Sequence, residues 1–270
     1  MTGPTPAAPA DGALDHVVIN VLRRMDGAAD LFAVLGFRLT PRGHHSLGSI
    51  NHLMMTAGPY LELVGVPEMG PQRQDVLDSP FGLNGLVVAS RDADATHARL
   101  AAAGLAAGPP VVFSRPVTVD GRTEQAQFRT VRVPAGRFPA GRLYHCEHLT
   151  PDLVWRLEWL DHPNGFSGID ALTIESPAPE ADASLYAAAI GAPAEAAGAG
   201  FTIRVGETRI VIVPGPAARF AALGLHFRGL DALEARAAAL PEATWVRHGP
   251  DAADLTLPAF DLHLACRAAL

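Results

Sequence analysis

The order of hydrophobic and polar positions along residues 14–66 predicts a strand, a helix and three further strands. Leu14–Val21 is apolar and rich in β-branched residues, which is typical of a buried strand, and His16 is its one histidine. Asp26–Leu35 has apolar residues at helical spacing, and Gly36 follows it as a left-handed helix stop. The further strands are predicted at Phe37–Thr40, Ile50–Thr56 and Tyr60–Val66.

The same order of elements recurs three more times along the chain. The strands that open the later units are predicted at Leu83–Ser90, Gly168–Ser176 and Leu223–Arg228, and the helices at Asp92–Ala103, Glu180–Ile190 and Leu230–Leu240. Such recurrence is typical of a repeated supersecondary unit that cannot bury its apolar face alone. We therefore predict an α+β fold of βαβββ units, with a flexible tail over 1–13, one domain over 14–165 and a second, degenerate pair of units over 166–270.

Two glutamates lie in apolar strand-like surroundings. Glu62 stands between Leu61 and Leu63 in the last predicted strand of the first unit, where a buried carboxylate is costly unless it is paired, hydrated or bound to a ligand. Leu157-Glu158-Trp159 repeats this pattern, so we predict that Glu158 holds the corresponding place in the second unit. An ion pair with Arg156 is an alternative role for Glu158.

A histidine in the first strand of such a unit and a glutamate in its last strand resemble the vicinal oxygen chelate superfamily of glyoxalases, extradiol dioxygenases and bleomycin-resistance proteins. Two blocks resemble the glyoxalase-like domain branch in particular; they comprise His44, Gly48-Ser49, Asn51 and Tyr60–Leu63, and then Tyr144-His145, Glu147–Pro151, Val154-Trp155 and His162–Gly165. The resemblance implies curled half-barrel sheets with the helices outside. It also implies that His16 and Glu62 lie side by side in a cavity.

The resemblance further implies a site for one divalent metal ion, Fe, Mn, Zn, Ni or Co, with His16, Glu62 and Glu158 as its ligands. Enzymes of the superfamily use a second first-strand histidine, but Asn84 or Gly85 stands at that position of the second unit. His145 or His148 is the alternative source of an imidazole. The catalytic candidates are Glu62, Glu158 and His148, and the candidates for the substrate pocket are His44, Asn51, His145 and Trp155.

Composition narrows the choice of partner. The net charge of −7 and the absence of clustered arginines argue against nucleic acid, and no apolar run is long enough to span a membrane. The sequence has no lysine, which excludes Schiff-base catalysis and a P-loop. We expect a cytoplasmic protein with a small-molecule ligand, as a monomer or homodimer, and two buried structural thiols at Cys146 and Cys266.

Two functions of different classes follow. One is an enzyme with lyase, isomerase or dioxygenase chemistry at a divalent metal. The other is a metal-free protein of the bleomycin-resistance type that binds a small organic molecule through the same side chains. A hydrogen-bonded core histidine is the structural alternative for His16, and a solvated loop histidine is the alternative for His44.

Overall fold

The computed structural model describes residues 8–269, and its strands form two eight-stranded sheets. The strands of the first sheet are β1 Leu14–Leu22, β2 Gly43–His44, β3 Ile50–Met54, β4 Tyr60–Gly65, β5 Gly82–Ala89, β6 Val111–Val119, β7 Arg122–Arg132 and β8 Arg142–His148. Those of the second are β9 Phe166–Ser176, β10 Ala194–Ala197, β11 Gly200–Val205, β12 Thr208–Pro214, β13 Arg219–Phe227, β14 Thr244–Gly249, β15 Ala252–Leu257 and β16 Leu262–Ala268. The strand orders, β2-β3-β4-β1-β5-β8-β7-β6 and β10-β11-β12-β9-β13-β16-β15-β14, are the same pattern. The predicted α+β fold of repeated βαβββ units is confirmed.

A helix follows the first strand of every unit. The helices are α1 Met25–Val34, α2 Gln74–Leu77, α3 Ala93–Ala102, α4 Pro179–Ile190 and α5 Asp231–Ala237, of which the short α2 is an addition within the first connector. Gly36 ends α1 at a φ of +82°, a left-handed conformation that glycine adopts without steric cost. Among residues 8–269, no helix has the length and apolar character needed to cross a membrane.

The first sheet closes on itself. The Ser46 amide, just beyond β2, donates to the carbonyl oxygen of Ser114 in β6 at 2.9 Å, and the Ser114 amide donates to Ser46 Oγ at 3.2 Å. These bonds join the two outer strands of the sheet, so the first sheet forms a barrel that encloses a cavity. We call it the first barrel.

The first strand of each unit contains a β-bulge at the same place. In β1, Leu14 lies opposite Val88 while His16 lies opposite Val87, so Asp15 is the extra residue. The corresponding extra residues of β5, β9 and β13 are Asn84, Asp170 and Ala221. A bulge interrupts the alternation of side chains between the two faces. Asp15 and His16 can therefore both face the barrel interior, while Leu14 and Val17 pack in the main core.

The bulges also align the four units residue by residue. Gly85 follows the bulge residue of β5 as His16 follows that of β1, so Gly85 is the counterpart of His16. In the second sheet, alanines stand at the same place, as predicted for Ala171. Strand pairing extends the alignment to the last strand of each unit: Glu62 lies opposite Val18, and Tyr144 lies opposite Val87, so Tyr144 is the counterpart of Glu62.

One hydrophobic core joins the two sheets, and a smaller cluster lines the first barrel. The main core includes buried residues of α1 and β5 together with buried residues of β9, β13 and α4. The barrel cluster is built around Trp155, Phe128, Tyr60 and Met55. The division into domains 14–165 and 166–270 stays a prediction.

Two predictions of local structure are wrong, and strand β14 is an addition. Phe37–Thr40 is irregular, and the two-residue strand Gly43–His44 takes its place in the sheet. Leu157–Trp159 is a turn of 3-10 helix, because β8 already supplies the last strand of the second unit. Strand β14 has no counterpart among the predicted elements. The predicted tail over 1–13 lies partly outside the described residues, which begin at residue 8.

Candidate ligand site

The first barrel encloses a narrow cavity, whose empty space amounts to about 520 Å³ when the open solvent at its mouth is included. Most of its polar lining comes from four titratable or amide groups near β1 and β4 and from three arginines. These are His16, His45, Asn51 and Glu62, with Arg73, Arg115 and Arg142. The apolar lining includes Leu53, Val64, Phe113 and Phe128, and the hydroxyl and thiol groups belong to Tyr60, Thr130, Tyr144 and Cys146. The mixture of apolar walls and a few converging polar groups is typical of a small-molecule site.

His16 lies between two carboxylates. Its Nδ1 is 2.5 Å from Asp15 Oδ1, and its Nε2 is 3.4 Å from Glu62 Oε2. Burial by itself lowers the pKa of His16, but the hydrogen bonds and charges of Asp15 and Glu62 outweigh it and raise the pKa to about 9. The imidazole is therefore positively charged at neutral pH. Its ring also stacks on Tyr60, with 4.6 Å between the centroids.

Glu62 is ionised and fixed in place. Burial by itself would raise its pKa, but the hydrogen bond and the charge of His16 hold the pKa at about 2. Asn51 Nδ2 donates to Glu62 Oε1 at 2.7 Å, and this bond orients the carboxylate from the neighbouring strand β3. The predicted side-by-side arrangement of His16 and Glu62 is present, and Asn51, predicted for the substrate pocket, lies beside Glu62.

His45 lies on the other side of Asn51. Its Nδ1 is 2.8 Å from Ser49 Oγ, and its Nε2 is 3.4 Å from Asn51 Nδ2. Burial lowers the pKa of His45 to about 4, and the charges of Arg115 and Arg73 act in the same direction. His45 is therefore a neutral imidazole at neutral pH.

A second group of donor atoms lies behind His16. The Asp15 carboxylate also faces His148, with 3.0 Å between Asp15 Oδ2 and His148 Nε2, and Cys146 is close to both. One ligand atom from each of Asp15, Cys146 and His148 lies within 4.8 Å of the others, so these three side chains could hold a metal ion. A carboxylate, a thiolate and an imidazole suit Zn²⁺ among other ions.

The metal position implied by the superfamily does not have a full set of ligands in this chain. Of the four aligned positions, His16 and Glu62 carry ligating groups, whereas Gly85 has no side chain and Tyr144 carries a phenol. Burial raises the pKa of Tyr144, which keeps the phenol protonated. The arginines that line the cavity also oppose a cation there. The donor set does not fit a metal at this position.

The structure separates the predicted site residues into two groups. His16, Asn51 and Glu62 line the cavity, and His148 and Trp155 pack directly behind it with 4.7 Å between their ring centroids. The others point elsewhere. His44 is exposed on β2, His145 Nε2 donates to the Ala189 carbonyl oxygen of α4 at 3.0 Å, and Glu158 is half-exposed beside Arg156.

Glu158 is thus not brought together with His16 and Glu62. The sequence Leu-Glu-Trp around Glu158 resembles the Leu-Glu-Leu of β4. Leu157–Trp159 lies beyond the last strand of its unit, however, in a surface turn. The predicted ion pair with Arg156 is the contact that Glu158 makes.

Sequence reasoning missed the arginines of the cavity, Asp15 and Tyr144. Arg115 and Arg142 lie on strands whose inward faces depend on how the barrel closes, a long-range property. Asp15 neighbours His16, and strict alternation would have placed it on the opposite face. The bulge that reverses this has no reliable signal in a single sequence.

The glyoxalase-like domain family matches residues 14–190 of this chain. The search among curated proteins finds no match. Solved structures with a similar fold include a hypothetical protein from Staphylococcus aureus, at 11% identity and a TM-score of 0.68, with 95% of this chain and 99% of that chain covered. The Mn(II)-bound glyoxalase from Novosphingobium aromaticivorans matches at 15% identity and a TM-score of 0.59, with 96% and 82% covered.

Homoprotocatechuate 2,3-dioxygenase from Arthrobacter globiformis is a third similar structure, at 14% identity and a TM-score of 0.55, with 100% of this chain and 83% of that chain covered. At these identities the similarity extends to the fold alone. The family match, in contrast, spans more than half of the sequence and includes both units of the first barrel. The protein therefore belongs to the glyoxalase-like domain family of the vicinal oxygen chelate superfamily.

Proposed function

We propose that the protein binds a small, oxygen-containing organic molecule in the first barrel and holds its oxygen atoms with hydrogen bonds at the position where the superfamily holds a metal. The observation that carries the proposal is the position of His16 in the cavity. His16 is a buried imidazolium whose Nε2 lies 3.4 Å from Glu62 Oε2 and 3.5 Å from the Tyr144 hydroxyl. Both distances are long for hydrogen bonds, so a ligand oxygen can compete with Glu62 and Tyr144 for this N–H.

The groups around His16 favour binding a ligand and polarising its carbonyl group over abstracting a proton from the ligand. A protonated imidazole and a protonated phenol can both donate to one carbonyl or enolate oxygen, and a charge-assisted donor is the stronger of the two. Glu62, with a pKa of about 2, is a weak base and serves to keep His16 charged. The same donors would stabilise negative charge that develops on a ligand oxygen. If the protein is an enzyme, this arrangement supports lyase or isomerase chemistry.

Calorimetric titration with a panel of small neutral carbonyl compounds, including benzamide, tests the proposal. We expect Tyr144→Phe and His16→Gln to weaken binding by about tenfold each, since each removes one donor. His44→Gln is the matched control, because His44 is exposed on β2, and it should bind as the unaltered protein does. Equal affinities in all four proteins would contradict the proposal.

A metal-dependent function is the second candidate, and the cluster of Asp15, Cys146 and His148 favours it. When bound, such an ion would act as a Lewis acid behind the cavity. Elemental analysis of protein purified without chelator separates the two candidates. Near-stoichiometric metal that is lost in Cys146→Ser and kept in Cys266→Ser would support this cluster. Metal that is lost in Glu62→Gln would instead overturn the metal-independent proposal.

A further inference from the structure

Arg115 is a buried cation without a partner among the described residues. Its side chain lines the cavity from β6 and is 4% exposed. Its guanidinium makes no hydrogen bond or ion pair within residues 8–269, and its nitrogens are not fully enclosed. A guanidinium carries five N–H donors and keeps its charge in proteins, so a buried one is costly unless an anion or polar group meets it.

Two further polar groups of the same cavity lack partners. Arg142 Nε donates to Asn84 Oδ1 at 2.6 Å, which fixes one edge of the guanidinium, while its Nη2 is buried without a hydrogen bond. The hydroxyl of Thr130, on the strand between β6 and β8, is also buried and unpaired. All three groups line one cavity, so a single ligand could satisfy them.

Among residues 8–269, the charged groups of the cavity are paired with one another except for Arg115. The positive groups are His16, Arg73, Arg115 and Arg142, and the negative groups that line or back the cavity are Asp15, Glu62 and Asp75. Asp15 is bound to His16 at 2.5 Å, and Asp75 is bound to Arg73 at 2.7 Å. Asp15 also faces His148, Asp75 also lies 3.9 Å from Arg142 Nη1, and Glu62 lies beside His16. Arg115 is therefore the charged group of the cavity that has no ion-pair partner among the described residues.

We infer that the ligand is an organic monoanion whose carboxylate is bound by Arg115 and Arg142. This inference rests on the proposed function and assigns the chemical class of its ligand. A carboxylate accepts two parallel N–H bonds from a guanidinium, and its negative charge would offset the unpaired charge of Arg115. Phe113 and Phe128, whose rings stack with 5.0 Å between centroids, provide an apolar wall for the rest of the molecule. The ligand is therefore a small carboxylate with an apolar or aromatic body.

Calorimetric titration with acetate, phenylacetate and benzoate, and with benzamide as the neutral counterpart of benzoate, tests the inference. We expect benzoate to bind at least about tenfold more tightly than benzamide, and Arg115→Met and Arg142→Met each to remove most of that difference. Arg122→Met is the matched control, because Arg122 is exposed at the start of β7. It should leave the affinity for benzoate unchanged.

Thermal unfolding of the ligand-free variants supplies an independent readout. Because Arg115 is unpaired, Arg115→Met should keep or raise the melting temperature, whereas breaking a structural ion pair would lower it. A clear loss of stability in Arg115→Met would overturn the inference.

The outcomes separate this inference from the proposed function. If benzamide and benzoate bind equally and Tyr144→Phe weakens both, the proposed function stands and the anion inference fails. If the unaltered protein binds none of the three carboxylates, the anion inference also fails. The neutral carbonyl panel then decides the proposed function by itself.

Discussion

His16 shows how one side chain changes its role when its neighbours change. In the superfamily pattern a first-strand histidine is a neutral metal ligand, and in this chain two carboxylates keep it charged. The other two ligating positions carry Gly85, which has no side chain, and Tyr144, which carries a phenol. Neither residue opposes the preference of the two carboxylates for a protonated His16. A hydrogen-bond donor thus stands where the pattern places a ligand.

The charge of His16 depends on Glu62, which leads to a prediction at this scale. In Glu62→Gln the pKa of His16 should fall by roughly 1 to 3, because an adjacent opposite charge is lost. Titration of the His16 ring resonances by NMR measures this pKa. Glu158→Gln should leave it unchanged, since Glu158 is exposed beside Arg156. An equal fall in both variants would contradict the assignment of Glu62 as the partner.

Stability should depend on pH through the same residue. The pKa of His16 rises from 6.5 in the unfolded chain to about 9 in the folded protein, so its contribution is complete below pH 6.5 and is lost as the pH rises through about 9. We expect the difference in melting temperature between the unaltered protein and His16→Gln to shrink over that interval. A difference that stays constant from pH 6 to pH 10 would show that the charge of His16 does not stabilise the fold.

At the scale of the element, the bulge in the first strand of each unit decides which residues meet. In β1 it brings Asp15 and His16 to the cavity, and in β5 it brings Asn84 to Arg142 and leaves Gly85 against Val18. A Cβ added at Gly85 would lie 2.7 Å from Val18 Cβ, which is too close for any side chain. The strand that could have supplied a second histidine is therefore packed too tightly for one.

Gly85→Ala should consequently destabilise the protein by about 1 to 3 kcal/mol, the usual cost of overpacking a core. Urea denaturation measures the change in the free energy of unfolding. Gly136→Ala is the control, because a Cβ at Gly136 would contact nothing within 4 Å, and it should be close to neutral. The double variant Val18→Ala/Gly85→Ala should lose less stability than the two single changes combined. Strict additivity of the two changes in unfolding free energy would contradict Val18 as the residue that a Cβ at position 85 contacts.

At the scale of the whole molecule, hydrogen bonds of the segment between the two sheets connect the first unit to the second sheet. Asn164 Nδ2 donates to the Leu35 carbonyl oxygen at the end of α1, and Asn164 Oδ1 accepts from the Phe166 amide at the start of β9. His162 Nε2 donates to the Met55 carbonyl oxygen at 2.7 Å, and its Nδ1 accepts from the Arg38 amide. The motif His162–Gly165, which the resemblance singled out, thus has a structural role.

We expect Asn164→Ala to cost about 2 kcal/mol or more, because it leaves the Leu35 carbonyl and the Phe166 amide without their side-chain partner. Unfolding should nevertheless remain one transition, since one core cluster contains residues of both sheets. Differential scanning calorimetry tests both statements. Two resolved transitions in the unaltered protein would contradict the single cooperative unit.

The sequence by itself determined the units of this protein. Helical periodicity over Asp92–Ala103 and Glu180–Ile190, glycine stops and the strands around them are local signals, and they recur because the unit recurs. The pairing of His16 with Glu62 was also within reach, because the first and last strands of a βαβββ unit are neighbours. The family match supports the same conclusion.

Only the tertiary structure decided the chemistry of the cavity. Whether Asp15 faces His16 depends on a bulge, whether Arg115 faces Glu62 depends on closure of the first barrel, and whether Glu158 reaches the cavity depends on which segment becomes the last strand. Each is a long-range pairing, in which a slip of one residue moves a side chain to the opposite face. Local sequence patterns carry no information on that slip, so they predicted the fold and the pairing of His16 with Glu62 but left Asp15 and the arginines of the cavity to the structure.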